Sequence, residues 1–148
     1  MSVLATALGK IRGLSDGNVN TYLGVRYGQP PVGAMRFKAS QMAETWPGIY
    51  DATQYSNRAM QEKTLSTLGL PVGGAVSEDC LFLNIYSPKT ANTSRPVLVW
   101  FHGGGFVAGS ANEYDGSVLA EQGDVVVVTV NSRLGVYGFF GWSYVGSG

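Results

Sequence analysis

Apolar and polar residues alternate along Leu81-Phe82-Leu83-Asn84-Ile85-Tyr86, so Leu81, Leu83 and Ile85 face one way and Phe82, Asn84 and Tyr86 the other. This pattern predicts a half-buried strand that ends at Pro88. Two later runs do not alternate. Val97-Leu98-Val99-Trp100-Phe101 and Val125-Val126-Val127-Val128-Thr129-Val130 are continuous and rich in β-branched residues. Such runs are expected of strands buried on both faces, as in parallel sheets. A short helix is predicted between them, over about residues 116–122, and residues 102–124 are long enough for the crossover that a parallel pair needs. Nearer the front, residues 9–15 and 19–27 are β-rich and flank Ser15-Asp16-Gly17-Asn18, a hairpin signal. Gln29-Pro30-Pro31-Val32-Gly33 is a turn that ends the second of these strands. Residues 34–79 read as irregular, with a Gly/Pro loop at 69–74.

The pattern therefore gives an α/β chain, with a β-hairpin region followed by the first strands of a mixed sheet. Central-type strands with almost no helix to cover them are incomplete as a layered fold. After Asn131 the chain turns through Gly135, Gly138 and Gly141 with no covering helix predicted. The expectation is a single partial domain over residues 1–148, the front of a longer fold.

Composition narrows the function classes. The chain has 148 residues, 10 Lys+Arg against 10 Asp+Glu, and is 45% hydrophobic, enough for a packed core rather than disorder. Zero net charge without a basic run argues against nucleic acid or an anionic membrane as partner. No apolar run reaches the roughly 20 residues of a membrane helix. With one cysteine (Cys80) and one histidine (His102), an internal disulfide and a Cys- or His-based metal centre are not expected. No signal peptide is visible at the N-terminus, which, with the lack of a disulfide, favours a cytoplasmic over a secreted location. No cofactor is expected.

The strongest chemical signal is His102-Gly103-Gly104-Gly105-Phe106, directly after the predicted strand 97–101. Successive glycines let the backbone turn sharply and aim its N–H groups together at a negative oxygen. An oxyanion hole needs such fixed donors where charge develops during acyl transfer. A strand followed by HGGG is the arrangement found in lipases and esterases, whereas the plain alternative is a Gly-rich turn. Residues 103–108, Gly103 to Ala108, also spell G-x-G-x-x-A, the signature of a dinucleotide-binding turn, with Asp124 about 20 residues on. Against that reading, Gly109-Ser110-Ala111-Asn112 continues as loop where a helix should begin, and Asp124 precedes the second strand instead of ending it. Gly13-Leu14-Ser15-Asp16-Gly17 spells G-x-S-x-G, but its place in a hairpin argues against Ser15 as a nucleophile on a strand-to-helix elbow.

Several motifs in order carry a family resemblance. They are Gly24-Val25-Arg26-Tyr27-Gly28, Pro30-Pro31-Val32-Gly33 through Arg36-Phe37, Trp46, Asp51-Ala52-Thr53, Ser77-Glu78-Asp79-Cys80-Leu81-Phe82-Leu83-Asn84, the HGGGF loop, and Asn131-Ser132-Arg133-Leu134-Gly135 with Gly138-Phe139. The sequence resembles the N-terminal part of type-B carboxylesterases and lipases, the cholinesterase-like α/β-hydrolases. The resemblance implies a carboxylic-ester hydrolase working through a serine acyl-enzyme, with a small-molecule ester as substrate. It implies that Gly104 and Gly105 supply two oxyanion-hole N–H groups, that His102 and Gly103 support the loop, and that Glu78, Asp79 and Arg133 form buried or semi-buried pairs.

It also implies that the nucleophilic serine, its acid and the catalytic histidine lie beyond the matched segment. The 148 residues alone are then expected to be inactive. Some such proteins are non-catalytic binding or interaction proteins, and that alternative stays open. Cys80 matches a family half-cystine whose partner position falls near Ala59, just before Gln61, so Cys80 is expected to be a free, buried thiol. The loop 62–76 lacks the Trp with which cholinesterases bind choline, which argues against a choline ester.

Overall fold

The computed structural model describes residues 1–62, 72–90 and 94–140. Strands β1 (Ser2–Thr6), β2 (Gly9–Asp16), β3 (Val19–Arg26), β4 (Ile49–Asp51), β7 (Phe82–Pro88), β8 (Val97–Phe101) and β9 (Val126–Val130) form one mixed sheet in the order β1-β2-β3-β7-β9-β8, with β4 beside β2. Two short strands, β5 (Arg58–Ala59) and β6 (Val76–Ser77), pair in parallel apart from it. The predicted hairpin forms, with Asp16 opposite Val19 across a Gly17-Asn18 turn. At Gly17, φ is +48°, which glycine takes without penalty. The predicted parallel pair also forms, β8 against β9, and its crossover carries α1 (Ser117–Gly123). β1 and β4 were not legible, since both lie largely exposed and carry no buried pattern of their own.

The two faces of the sheet are covered differently. Ile11, Tyr22, Val25 and Ala52 are buried together on one face, with Trp46, Tyr50, Leu83 and Ile85 packed against them. On the other, Val19, Leu23, Tyr86 and Val127 meet Ala120 of α1. β7 is covered on both faces, and the more deeply buried one is Phe82, Asn84 and Tyr86. β3 bulges between Tyr22 and Val25, where Gly24 has φ +66° and its N–H donates to Asn84 Oδ1 at 2.9 Å. A side chain at Gly24 would collide with the backbone at Gln54 and Ser56.

Two expectations need correction. β8 is not buried: all five of its residues are exposed, with Val97 at 59% and Phe101 at 70%. It is the outermost strand, and α1 packs over β3, β7 and β9 instead. Nor does the chain merely turn after Asn131, because residues Gly135–Phe139 form a short helix, α2. The expected turn at Gly141 lies outside the described residues, as does the first half of the Gly/Pro loop, residues 69–71. No helix among the described residues is long and apolar enough to cross a membrane.

Candidate active-site loop

β8 ends at Phe101, and the glycine loop leaves from that end of the sheet. Gly104 and Gly105 have φ of +117° and +62°, and Phe106 follows at +63°. A bulky residue resists that last value, so the surroundings must hold it. They do: the Phe106 carbonyl accepts the Gly135 N–H at 2.7 Å, and its ring lies 5.0 Å from that of Phe139 in α2. The Gly104 carbonyl accepts the N–H groups of both Val107 and Ala108 at 3.2 Å, which closes the turn. A Cβ on Gly104 would run into the Ala108 carbonyl oxygen, whereas one on Gly105 would meet nothing within 4 Å.

Among the described residues, the N–H groups of Gly104 and Gly105 have no acceptor. Two neighbouring donors thus lie just past the end of a strand, in a loop whose Gly103, Gly104 and Phe106 carbonyls have partners. A cavity of about 160 Å³ opens against the loop, lined by Gly103 and Phe106 on either side of the two glycines and by Phe101, His102, Val130 and Phe139. The His102 ring turns back on its own loop, with Nδ1 2.8 Å from the Gly103 carbonyl, to which it donates. The His102 side chain thus contacts the loop it belongs to.

Beneath the loop runs a buried amide network. Asn131 Oδ1 accepts from the Ala111 N–H at 2.8 Å and from Ser110 Oγ at 3.1 Å, and Asn131 Nδ2 donates to Asn112 Oδ1 at 3.0 Å. Asn84 Nδ2 donates to Thr129 Oγ1 at 3.1 Å, and Asn112 Nδ2 donates to the carbonyls of Ser56 and Gly73. Buried amides left unsatisfied are costly, so a closed network fixes the segment that follows the loop. In the sequence Asn84 stands out only as the polar member of the Phe82, Asn84 and Tyr86 face and as the last residue of the Ser77–Asn84 motif.

Gln61 was missed altogether. Its side chain brackets Gly109: Oε1 accepts the Gly109 N–H at 2.9 Å, and Nε2 donates to the Gly109 carbonyl at 2.9 Å.

The expected ion pairs form in part. Arg26 holds Asp79 through two bonds of 2.7 and 2.8 Å and lies over the Phe82 ring, and Arg36 grips Glu78 at 2.5 and 2.6 Å. The Arg36 guanidinium holds the Glu78 carboxyl below the ordinary range. Among the described residues Arg133 has no carboxylate partner; it donates to the Lys38 carbonyl and to Ser40 Oγ.

Cys80 is a free, buried thiol and packs with Ala59, Leu81 and Leu134. Burial, then the Asp79 charge, pushes its pKa up to about 12.

Ser15 sits inside the hairpin, where its hydroxyl donates to Asn20 Oδ1 at 3.0 Å. It stands opposite Asn20, and Asn20 opposite Ser87; Phe101 stands opposite Val130, and Val130 opposite Leu83. Along β7, Ser87 and Leu83 are separated by roughly 13 Å, and the four strand spacings from β2 to β8 add about 19 Å laterally. Ser15 and His102 therefore belong to opposite ends of the sheet.

The dinucleotide alternative also lacks its geometry. No helix opens at residues 103–108, and Asp124 caps the end of α1, bound to Arg95. Among the described residues no group of acids, His or Cys is placed to hold a metal ion. The larger cavity, about 420 Å³, lies between the β2–β3 turn and α1 and contains none of the loop residues.

Comparison with known proteins identifies the chain's family. Residues 1–144 match the model of the carboxylesterase family. The chain is 43% identical over 139 residues to a para-nitrobenzyl esterase of Bacillus subtilis, covering 93% of this chain and 28% of that protein. It is 45% identical over 149 residues to human carboxylesterase 3, covering 91% of this chain and 26% of that protein. Among solved structures, a thermophilic PNB esterase superposes with a TM-score of 0.92 at 42% identity, over 97% of this chain and 30% of that one. The chain thus spans less than a third of the length of these relatives.

Proposed function

The chain belongs to the carboxylesterase family, and from that premise we propose that it is the part of a serine esterase that supplies the oxyanion-hole loop. Its fold is the N-terminal portion of an α/β-hydrolase fold. Gly104 and Gly105 are the donors, His102 and Gly103 hold the loop, and a small-molecule carboxylic ester is the substrate.

One observation carries the reading. Two adjacent N–H groups at positive-φ glycines lack acceptors among the described residues, in the loop that leaves the end of β8 and whose flanking residues Gly103 and Phe106 line a cavity. In the proposed reaction a serine oxygen adds to the ester carbonyl carbon. The carbonyl oxygen becomes an oxyanion, and the alcohol leaves with a proton. Water then adds to the acyl-serine and releases the acid. Both steps pass through an oxyanion, so donors aimed at that position lower both barriers.

The serine, its acid and a catalytic histidine are proposed to come from the remainder of an esterase of the relatives' length. Ser15 is excluded by position and His102 is engaged in the loop. The exposed strand β8 favours a second reading, a non-catalytic part that pairs with other chain through that edge.

Turnover of 4-nitrophenyl acetate by the protein at full length separates the two. The esterase reading predicts a burst of about one nitrophenolate per protein, followed by steady turnover, and no turnover from residues 1–148 alone. No turnover at full length would overturn it in favour of the binding reading.

A further inference from the structure

We propose that Gln61 is the positioning residue of the oxyanion loop, an inference that rests on the reading of Gly104 and Gly105 as donors. Gly104 packs so closely on the peptide between Ala108 and Gly109 that a Cβ there would strike the Ala108 carbonyl oxygen. Gly109, in turn, lies so near Gly103 that its own Cβ would stand 2.6 Å from the Gly103 carbonyl oxygen and 2.7 Å from His102 Nδ1. The orientation of the 108–109 peptide therefore sets where Gly103 and Gly104 sit.

Gln61 fixes that orientation. Its Oε1 accepts the N–H of this very peptide, and its Nε2 binds the next carbonyl along, both at 2.9 Å. The same Nε2 donates to the Ala59 carbonyl at 3.1 Å, which ties the clamp to β5 and to the buried Ala59. Only a primary amide meets the whole pattern, since one acceptor and two donors are used. A glutamate of the same shape keeps the acceptor. When ionised it has no donor and places negative charge against two carbonyl oxygens; when protonated it regains one donor.

The test uses the protein at full length, with 4-nitrophenyl acetate and a trifluoromethyl ketone as a mimic of the tetrahedral oxyanion. In Gln61→Ala, kcat is expected to fall by about tenfold or more with KM within about twofold, because these donors act mainly on the transition state. The ketone should weaken by the same factor as kcat/KM. In Gln61→Glu, the ratio of kcat to that of the unmodified protein should rise as pH falls through the carboxyl range, and the alanine variant should show no such recovery.

Unchanged kcat and inhibition in Gln61→Ala, or a pH-independent ratio in Gln61→Glu, would overturn the proposal while leaving the esterase reading intact. If the alanine variant does not fold, the near-isosteric glutamate variant decides. Should the unmodified protein show no turnover, the esterase reading fails by itself. Hydrogen exchange at the Gly109 amide then judges the clamp: faster exchange in Gln61→Ala supports it, and an unchanged rate overturns it.

Discussion

At the scale of single residues, Cys80 shows how burial sets chemistry. Its thiol has an ordinary pKa of 9.0 and is pushed up to about 12 in the fold, while the nearby Tyr27 hydroxyl is also pushed up to about 12, mainly by burial. Both groups keep their protons in the folded state at pH values where the unfolded chain has released them. Their contribution to stability is complete below pH 9 and is lost as pH rises towards 12. For Cys80 the loss is on the order of 1 kcal/mol per pH unit. Melting between pH 8 and 11 should therefore fall more steeply for the unmodified protein than for Cys80→Ala; parallel curves would refute this. Motif residues were the legible ones. His102 to Phe106 stood out because successive glycines after a strand are rare without a backbone reason, and the structure supplies a packing reason at Gly104. Gln61 was silent because its partner lies 48 positions away and is a backbone group, which leaves no trace in the sequence.

Elements were legible where burial imposed a period. The hairpin of β2 and β3, the alternation in β7 and the parallel pairing of β8 with β9 follow from side-chain pattern and turn chemistry. β1 and β4 carry no such pattern. β8 is the instructive miss: its five apolar residues describe a strand suited to burial, but coverage depends on neighbours that a local pattern does not contain. A smaller element makes a sharper prediction. β5 brings Ala59 beside β6, and Ala59 and Cys80 pack in one buried cluster, although Cys80 has no cysteine partner in this chain. Ala59→Cys is expected to form a disulfide with Cys80 under oxidising conditions. The cross-link closes a loop of roughly 20 residues, which the chain-entropy model values at about 3 kcal/mol. Melting with and without reductant checks it; equal melting temperatures, or two free thiols by titration, would show that the cluster does not bring the two positions together.

For the whole molecule, the glycine loop leaves one end of the sheet and the β2–β3 turn lies at the other, with the amide network of Asn84, Asn112 and Asn131 holding the segment that follows the loop. The proposal that the loop serves an esterase makes Gly104 and Gly105 unequal under substitution. Gly104→Ala drives a methyl group into the Ala108 carbonyl and should cost stability as well as activity. At Gly105 a methyl group meets open space, but a β-branched side chain resists the φ of +62°, so Gly105→Val is expected to turn its peptide and re-aim the N–H without a clash elsewhere. The most direct measurement is kcat for 4-nitrophenyl acetate in Gly105→Val at full length, alongside its melting temperature. The account predicts a loss approaching the about 10²–10³-fold that removal of one oxyanion donor costs, with melting lowered by only a few degrees. A kcat equal to that of the unmodified protein would contradict the assignment of this loop as the oxyanion hole.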